Sequence, residues 1–95
     1  DLKKHDSMVK STRFAILLIK YLTHRTKVLR NTHRFAGFAV LKSLNVPSVL
    51  IETGFLSNKI DEKRLRSRAY RNKMATATVE AIDAYFLQVE EATRR

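Results

Sequence analysis

The sequence has no cysteine, only two glycines and one proline, and about half as many acidic residues as basic ones. The absence of cysteine excludes disulfide bonds, thiol nucleophiles and cysteine-ligated zinc, but it leaves the redox compartment open. The scarcity of glycine and proline excludes a glycine-rich phosphate loop and is typical of a helix-rich globular chain. At 95 residues the chain has room for one domain and not for two.

Nineteen Lys and Arg against nine Asp and Glu give a net charge of +10, which predicts attraction to polyanions such as nucleic acid, anionic lipid or acidic wall polymer. Long apolar runs are also missing. The longest apolar-rich stretch, residues 14–22, is interrupted by Lys20 and is too short to span a bilayer, which takes about 20 apolar residues. The chain begins at Asp1 without an initiator Met or a signal-peptide apolar segment, so we expect a mature product or an excised piece.

Two patterns near the N-terminus predict a helix and a connector. Asp6 and Ser7 are helix-capping residue types, and apolar residues recur after them at three- and four-residue spacing, which predicts a helix over residues 7–24. Its apolar stripe contains Met8, Thr12, Ala15, Ile19 and Leu22, flanked by Phe14, Leu17, Leu18 and Tyr21. Residues 25–34 are polar and basic and form a connector.

The middle of the chain predicts strands, and the C-terminal part predicts helices. Residues 38–41 and 49–51 are short runs of β-forming apolar residues, typical of strands buried on both faces. Ser57 or Asn58 caps a predicted short helix over residues 59–66, and Ser67 caps a longer one over 68–91. One stripe of this helix contains Tyr70, Met74, Ala77, Ala81 and Tyr85, and a neighbouring one contains Ile82, Phe86 and Val89. We expect Tyr70, Met74, Ala81, Tyr85 and Phe86 to lie in the core. We therefore predict an α/β fold: the C-terminal portion of an open mixed sheet flanked by helices, with two short strands and two to three helices.

Glu52 is the sharpest candidate for chemistry. A carboxylate at the end of a buried strand lies where open α/β sheets bind ligands, and partial burial would raise its pKa and suit it to proton transfer. From spacing alone, a solvated glutamate, or one paired with Arg or Lys, is the commoner case.

The remaining polar residues give weaker signals. His5, His24 and His33 lack the spacing of a helical zinc motif and are best read as solvated. No serine lies in a G-x-S-x-G elbow. The basic run from Lys59 to Lys73 is typical of a solvated helix face, and it lacks the interleaved aromatic residues of single-strand nucleic-acid binders.

The stretch "GFAVLKSLNVPSVLIETGFLSN", residues 37–58, closely resembles the C-terminal part of the zinc-dependent N-acetylmuramoyl-L-alanine amidases, bacterial wall hydrolases involved in cell separation. The resemblance continues through "DEKRLRSRAYRNKMATATVEAIDAYF", similar to the terminal helices of that family, and back to "DSMVKSTRFAILLIKYL". It implies that residues 1–95 are the C-terminal segment of a single amidase catalytic domain whose N-terminal half is absent.

That family cuts the amide between N-acetylmuramic acid and the L-alanine of the stem peptide, and Glu52 matches its catalytic glutamate. The resemblance implies zinc as cofactor, peptidoglycan as substrate and a periplasmic or extracellular location in the cell envelope. The zinc ligands of the family, two histidines and a glutamate, lie in a His-Gly motif and a Ser-x-His motif that do not occur here. No metal ligand is therefore assigned, and we expect the chain alone to be inactive.

A different class of function stays open. A non-catalytic basic module would bind anionic wall polymer, or nucleic acid, through charge alone, and such binding would weaken as salt screens it. Nucleic acid is the less favoured partner because only the net charge supports it.

Overall fold

The computed structural model describes residues 2–26 and 46–95, and these contain three helices. Helix α1 is Leu2–Arg25, α2 is Lys59–Arg66 and α3 is Arg68–Arg94. The predictions of α2 and of the start of α3 are confirmed, and α3 runs three residues further than expected. None of these helices combines the length and the apolar character needed to cross a membrane.

Helices α1 and α3 pack antiparallel, and their contact forms the hydrophobic core of the described chain. Leu17, Leu18 and Leu22 of α1 lie against Ala77 and Ala81 of α3, and all five are buried. The two alanines have no exposed surface at all, because their small side chains let the helix axes approach closely.

An aromatic pair and an ion pair fix the direction of this packing. Phe14 lies edge-on to Tyr85, with ring centroids 5.6 Å apart, whereas Arg25 at the end of α1 pairs with Glu80, earlier in α3. The later residue of α1 thus contacts the earlier residue of α3, as antiparallel packing requires.

Helix α1 begins five residues earlier than predicted, so the expected caps lie inside it. Asp6 pairs with Lys10 one turn later, at 2.9 Å between Nζ and Oδ2, and Ser7 is buried. Leu17 and Leu18, which flank the predicted apolar stripe, are buried in the core, whereas Met8 of the stripe itself is 49% exposed.

The caps of the C-terminal helices are as predicted. The Asn58 side-chain oxygen accepts hydrogen bonds from the amides of Ile60 and Asp61, at 2.9 and 3.1 Å. The Ser67 hydroxyl oxygen accepts one from the Tyr70 amide at 3.2 Å. Each cap satisfies backbone donors that the first helical turn leaves unpaired.

The predicted α/β fold, an open mixed sheet with two short strands, is wrong for the described residues, which are helical apart from the turns and the segment before α2. Residues 49–51 form no strand. Val49 and Ile51 are half-buried against the α1–α3 core, whereas Leu50 between them is 52% exposed. The apolar run is thus covered on one side by helices, and the described residues supply no neighbouring strand for it. The other predicted strand, over 38–41, and most of the connector over 25–34 lie outside the described residues.

One further expectation fails on α3. The stripe through Met74, Ala77, Ala81 and Tyr85 does face the core. The neighbouring Phe86, expected to be buried, is 58% exposed, because α1 covers only the alanine side of α3.

We predict that Ala81→Leu destabilises the chain by about 1–3 kcal/mol, because the added atoms overpack the contact between α1 and α3. The free energy of unfolding from urea denaturation measures the change. Ala75→Leu, on the exposed side of the same helix, is the matched control and should stay within about 0.5 kcal/mol. Equal effects of the two substitutions would contradict the packing described.

The Arg25–Glu80 pair predicts a pH dependence of stability. Hydrogen bonding from the Arg25 guanidinium lowers the pKa of the Glu80 carboxyl below its ordinary value of 4.5. A carboxyl whose pKa is lower in the folded chain adds stability above its unfolded pKa, and that stability is lost as the pH falls through the folded pKa. The destabilisation caused by Glu80→Gln should therefore be largest above about pH 5 and shrink on acidification.

Urea denaturation of the wild type and the Glu80→Gln variant over a pH series measures this difference. Glu91→Gln, an exposed change near the end of α3, is the control and should show no such trend. A Glu80→Gln effect that is constant across the series would disprove the role of the pair.

Candidate functional site

Residues 46–52 lead along α1 toward Glu52. The Ser7 hydroxyl donates to the Val46 carbonyl oxygen at 3.3 Å, and the Ser48 amide donates to the Ser11 hydroxyl oxygen at 2.8 Å. Four residues of helix rise about 6 Å, and the segment covers this distance in two residues, which requires an extended backbone. The segment therefore runs parallel to α1, held by two serines one helical turn apart.

Glu52 follows where this segment leaves the core. Ile51 is half-buried against the α1–α3 core, and Glu52 is the first of a run of exposed residues. The side chain is exposed, so the partial burial expected from the sequence is wrong. Among the described residues no Lys or Arg forms an ion pair with Glu52, so the alternative of a glutamate locked to a cation has no support there.

The turn after Glu52 is built on Gly54 and on the first turn of α2. Gly54 has φ of 148°, a backbone conformation that residues with a side chain rarely adopt. The Phe55 amide donates to the Asp61 carboxylate at 3.1 Å, and the Asn58 amide donates to the Phe55 carbonyl oxygen at 3.1 Å. These bonds connect the exit of the Glu52 segment to α2.

The surface around Glu52 is apolar and exposed. Four large side chains, from the residues before and after it, have 52–75% of their surface accessible: Leu50, Phe55, Leu56 and Ile60. Several exposed apolar side chains close in sequence to a candidate catalytic group suit an interaction site.

The described residues hold no group of three or more His, Asp or Glu that could bind a metal ion. His5 and His24 are exposed and lie 19 residues apart on α1, about 28 Å along the helix. His33 lies outside the described residues. Both histidines lie on α1, and neither belongs to the segment that carries Glu52. The described residues therefore do not fit a zinc site.

A second feature, which the sequence did not indicate, is an open cavity of about 400 Å³ at the end of α1. We call it the basic cavity, and it is lined by Thr23, His24, Arg25, Thr26, Arg64, Tyr70 and Lys73. Its residues come from all three helices and are separated by up to 50 positions. No local motif joins them, so only the antiparallel packing of α1 on α3 reveals the cluster. Glu52 does not line it.

Comparison with known proteins identifies the class. The profile of the N-acetylmuramoyl-L-alanine amidase family matches residues 2–84. The chain therefore belongs to this family of peptidoglycan hydrolases, as its resemblance predicted. No solved structure matches the chain.

Individual relatives carry the same name. The chain is 32% identical to the amidase AmiC of Escherichia coli O6:H1, over 100% of this chain and 23% of that protein. It is 40% identical to AmiA of Escherichia coli K12, over 90% of this chain and 30% of AmiA. A putative N-acetylmuramoyl-L-alanine amidase of Buchnera aphidicola from Schizaphis graminum is 35% identical, over 87% of this chain and 42% of that protein. The chain thus spans less than half the length of each of these relatives.

We predict that Gly54→Ala destabilises the chain by about 1–3 kcal/mol, because alanine at this φ is strained. An added Cβ would also lie 3.1 Å from the Asp61 Cβ, which is tighter than ordinary contact. Urea denaturation measures the effect. Thr53→Ala, an exposed change at the preceding position, should alter the free energy of unfolding by less than about 0.5 kcal/mol. A Gly54→Ala chain as stable as the wild type would contradict this account of the turn.

Proposed function

We propose that the chain is the C-terminal segment of the catalytic domain of a peptidoglycan amidase, and that Glu52 is its proton-transfer residue. The observation that carries the proposal is the family match over residues 2–84, which includes Glu52. The partial coverage of AmiC and AmiA supports the view that other polypeptide completes the domain.

The reaction we propose is hydrolysis of the amide between the lactyl group of N-acetylmuramic acid and L-alanine. The oxygen of water attacks the amide carbonyl carbon while the Glu52 carboxylate accepts a proton from that water. Glu52 then gives the proton to the leaving nitrogen, the carbon–nitrogen bond breaks, and a carboxylic acid, which retains the second proton of the water, and a free amine result. An exposed carboxylate that has no ion pair with described residues is available both to water and to a polymeric substrate.

The proton transfer described above involves Glu52, water and the amide. Family membership also implies a zinc ion. Such an ion polarises a carbonyl and lowers the pKa of bound water. The described residues do not fit a zinc site, and the sequence contains neither the His-Gly nor the Ser-x-His motif of the family. We therefore propose that the zinc ligands belong to other polypeptide.

The exposed apolar residues around Glu52 suit contact with that polypeptide. Phe55 and Leu56, 58% and 75% exposed, would be covered when the rest of the domain packs beside the glutamate. We propose peptidoglycan as the substrate and the cell envelope, periplasmic or extracellular, as the location. A relative from Staphylococcus saprophyticus is named a probable cell wall amidase, which agrees with this assignment.

A chimera tests the role of Glu52. The 95 residues replace the part of Escherichia coli AmiC that aligns with them. This alignment covers the whole of the present chain. We predict that the chimera cleaves a muropeptide amide and that Glu52→Gln lowers kcat/KM by about 10²–10⁴-fold, because glutamine cannot accept the proton.

Glu91→Gln, an exposed carboxylate near the end of α3, is the matched control and should retain activity. Zinc content and far-UV circular dichroism show that each chimera is assembled. Full activity of the Glu52→Gln chimera would refute the role of Glu52, and turnover by the 95-residue chain alone would refute the need for other polypeptide.

A further inference from the structure

We propose that the basic cavity binds a phosphate group. The cavity lies at the junction of the three helices, where the end of α1, the end of α2 and the first two turns of α3 meet. This inference goes beyond amide hydrolysis and does not depend on it, because Glu52 is not among the lining residues.

Charge is the first argument for an anionic ligand. The described lining of the basic cavity includes Arg25, Arg64 and Lys73 and contains no Asp or Glu. Arg25 is held by Glu80, which offsets its charge. Arg64 and Lys73 form no ion pair with any residue that the structure describes. Two uncompensated cations in one cavity repel each other, and a bound anion relieves that repulsion.

The available hydrogen-bond donors are the second argument. The two threonine hydroxyls of the lining already donate to α1 carbonyl oxygens: Thr23 to Ile19 at 2.7 Å and Thr26 to Leu22 at 2.9 Å. The donors that remain are the Arg64 guanidinium, the Lys73 ammonium, the Tyr70 hydroxyl and the His24 imidazole. They come from three helices and hence from several directions. A phosphate group has oxygens on all sides and strong charge-assisted bonds to Arg and Lys, so it matches this arrangement.

Two neighbouring cations are committed to contacts within the chain. Arg66 is paired with Glu62 at 2.7 Å, and Arg71 donates to the Leu65 carbonyl oxygen at 2.7 Å. Lys63 and Arg68 form no ion pair among the described residues either, but they do not line the cavity. Among the unpaired cations of α2 and the start of α3, Arg64 and Lys73 are the two that share the cavity.

The phosphate has two possible sources with the same chemistry. One is free inorganic phosphate, and the other is the phosphodiester of an anionic polymer, which the open shape of the cavity admits. The two sources differ in avidity, because a polymer presents many phosphates to one site.

The test is an NMR titration of the full 95-residue chain, ¹⁵N-labelled, with inorganic phosphate and separately with poly(glycerol phosphate). We expect saturable shifts of the Thr26, Tyr70 and Lys73 amides and of the His24 ring. The double variant Arg64→Gln/Lys73→Gln should weaken phosphate binding about tenfold or more. Each of the two substitutions removes one charge-assisted hydrogen bond to the phosphate.

The matched control is Arg94→Gln/Arg95→Gln, which removes the same two charges at the far end of α3 and should change affinity by less than about twofold. Tighter binding of the polymer at equal phosphate concentration identifies the polymer as the source, and equal binding identifies free phosphate. Equal weakening by both double variants, or shifts spread over the chain without saturation, would overturn the proposal in favour of attraction by net charge. If circular dichroism shows that the cavity double variant loses helix, the single Lys73→Gln change, at an exposed residue, replaces it.

Discussion

The close contact of α1 with α3 is the constraint on which the other features depend. Leu17 and Leu18 are buried together with Ala77 and Ala81, whose small side chains allow a close approach of the helices. In this arrangement α1 offers Ser7 and Ser11 to the segment that leads to Glu52, and it brings its last turn beside the start of α3. A separation of the two helices would therefore remove both the support of Glu52 and the basic cavity.

The three-helix structure carries two chemically different surfaces. One carries a carboxylate among exposed apolar side chains, and the other gathers cations and a tyrosine hydroxyl. A cavity of positive potential raises the local concentration of an anionic ligand at the surface of the chain. The two proposals concern separate residues, but one helix packing positions both.

The sequence predicted the helices well because their signals are local. Asn58 and Ser67 cap the helices as their residue types indicate, and the four-residue spacing from Ala77 to Ala81 identifies the buried side of α3. The strand over residues 49–51 failed for a tertiary reason: a β-forming run needs a neighbouring strand, and in the described chain helices cover Val49 and Ile51 instead. Glu52 stands out in the sequence because it follows an apolar run and matches the catalytic glutamate that the family resemblance implies, and this role stays a prediction. Arg64 and Lys73, in contrast, meet His24 only through packing between distant segments.

The contact of Gly54 with Asp61 has a consequence for how the two positions evolve. The Asp61 carboxylate occupies the space that a side chain at position 54 would need, and it also accepts the hydrogen bond of the Phe55 amide. The φ of Gly54 strains any side chain there whatever residue stands at position 61, so a change at Asp61 does not release position 54. Divergence near the candidate catalytic carboxylate would therefore retain this glycine, and a change at Asp61 alone would cost the hydrogen bond of the Phe55 amide.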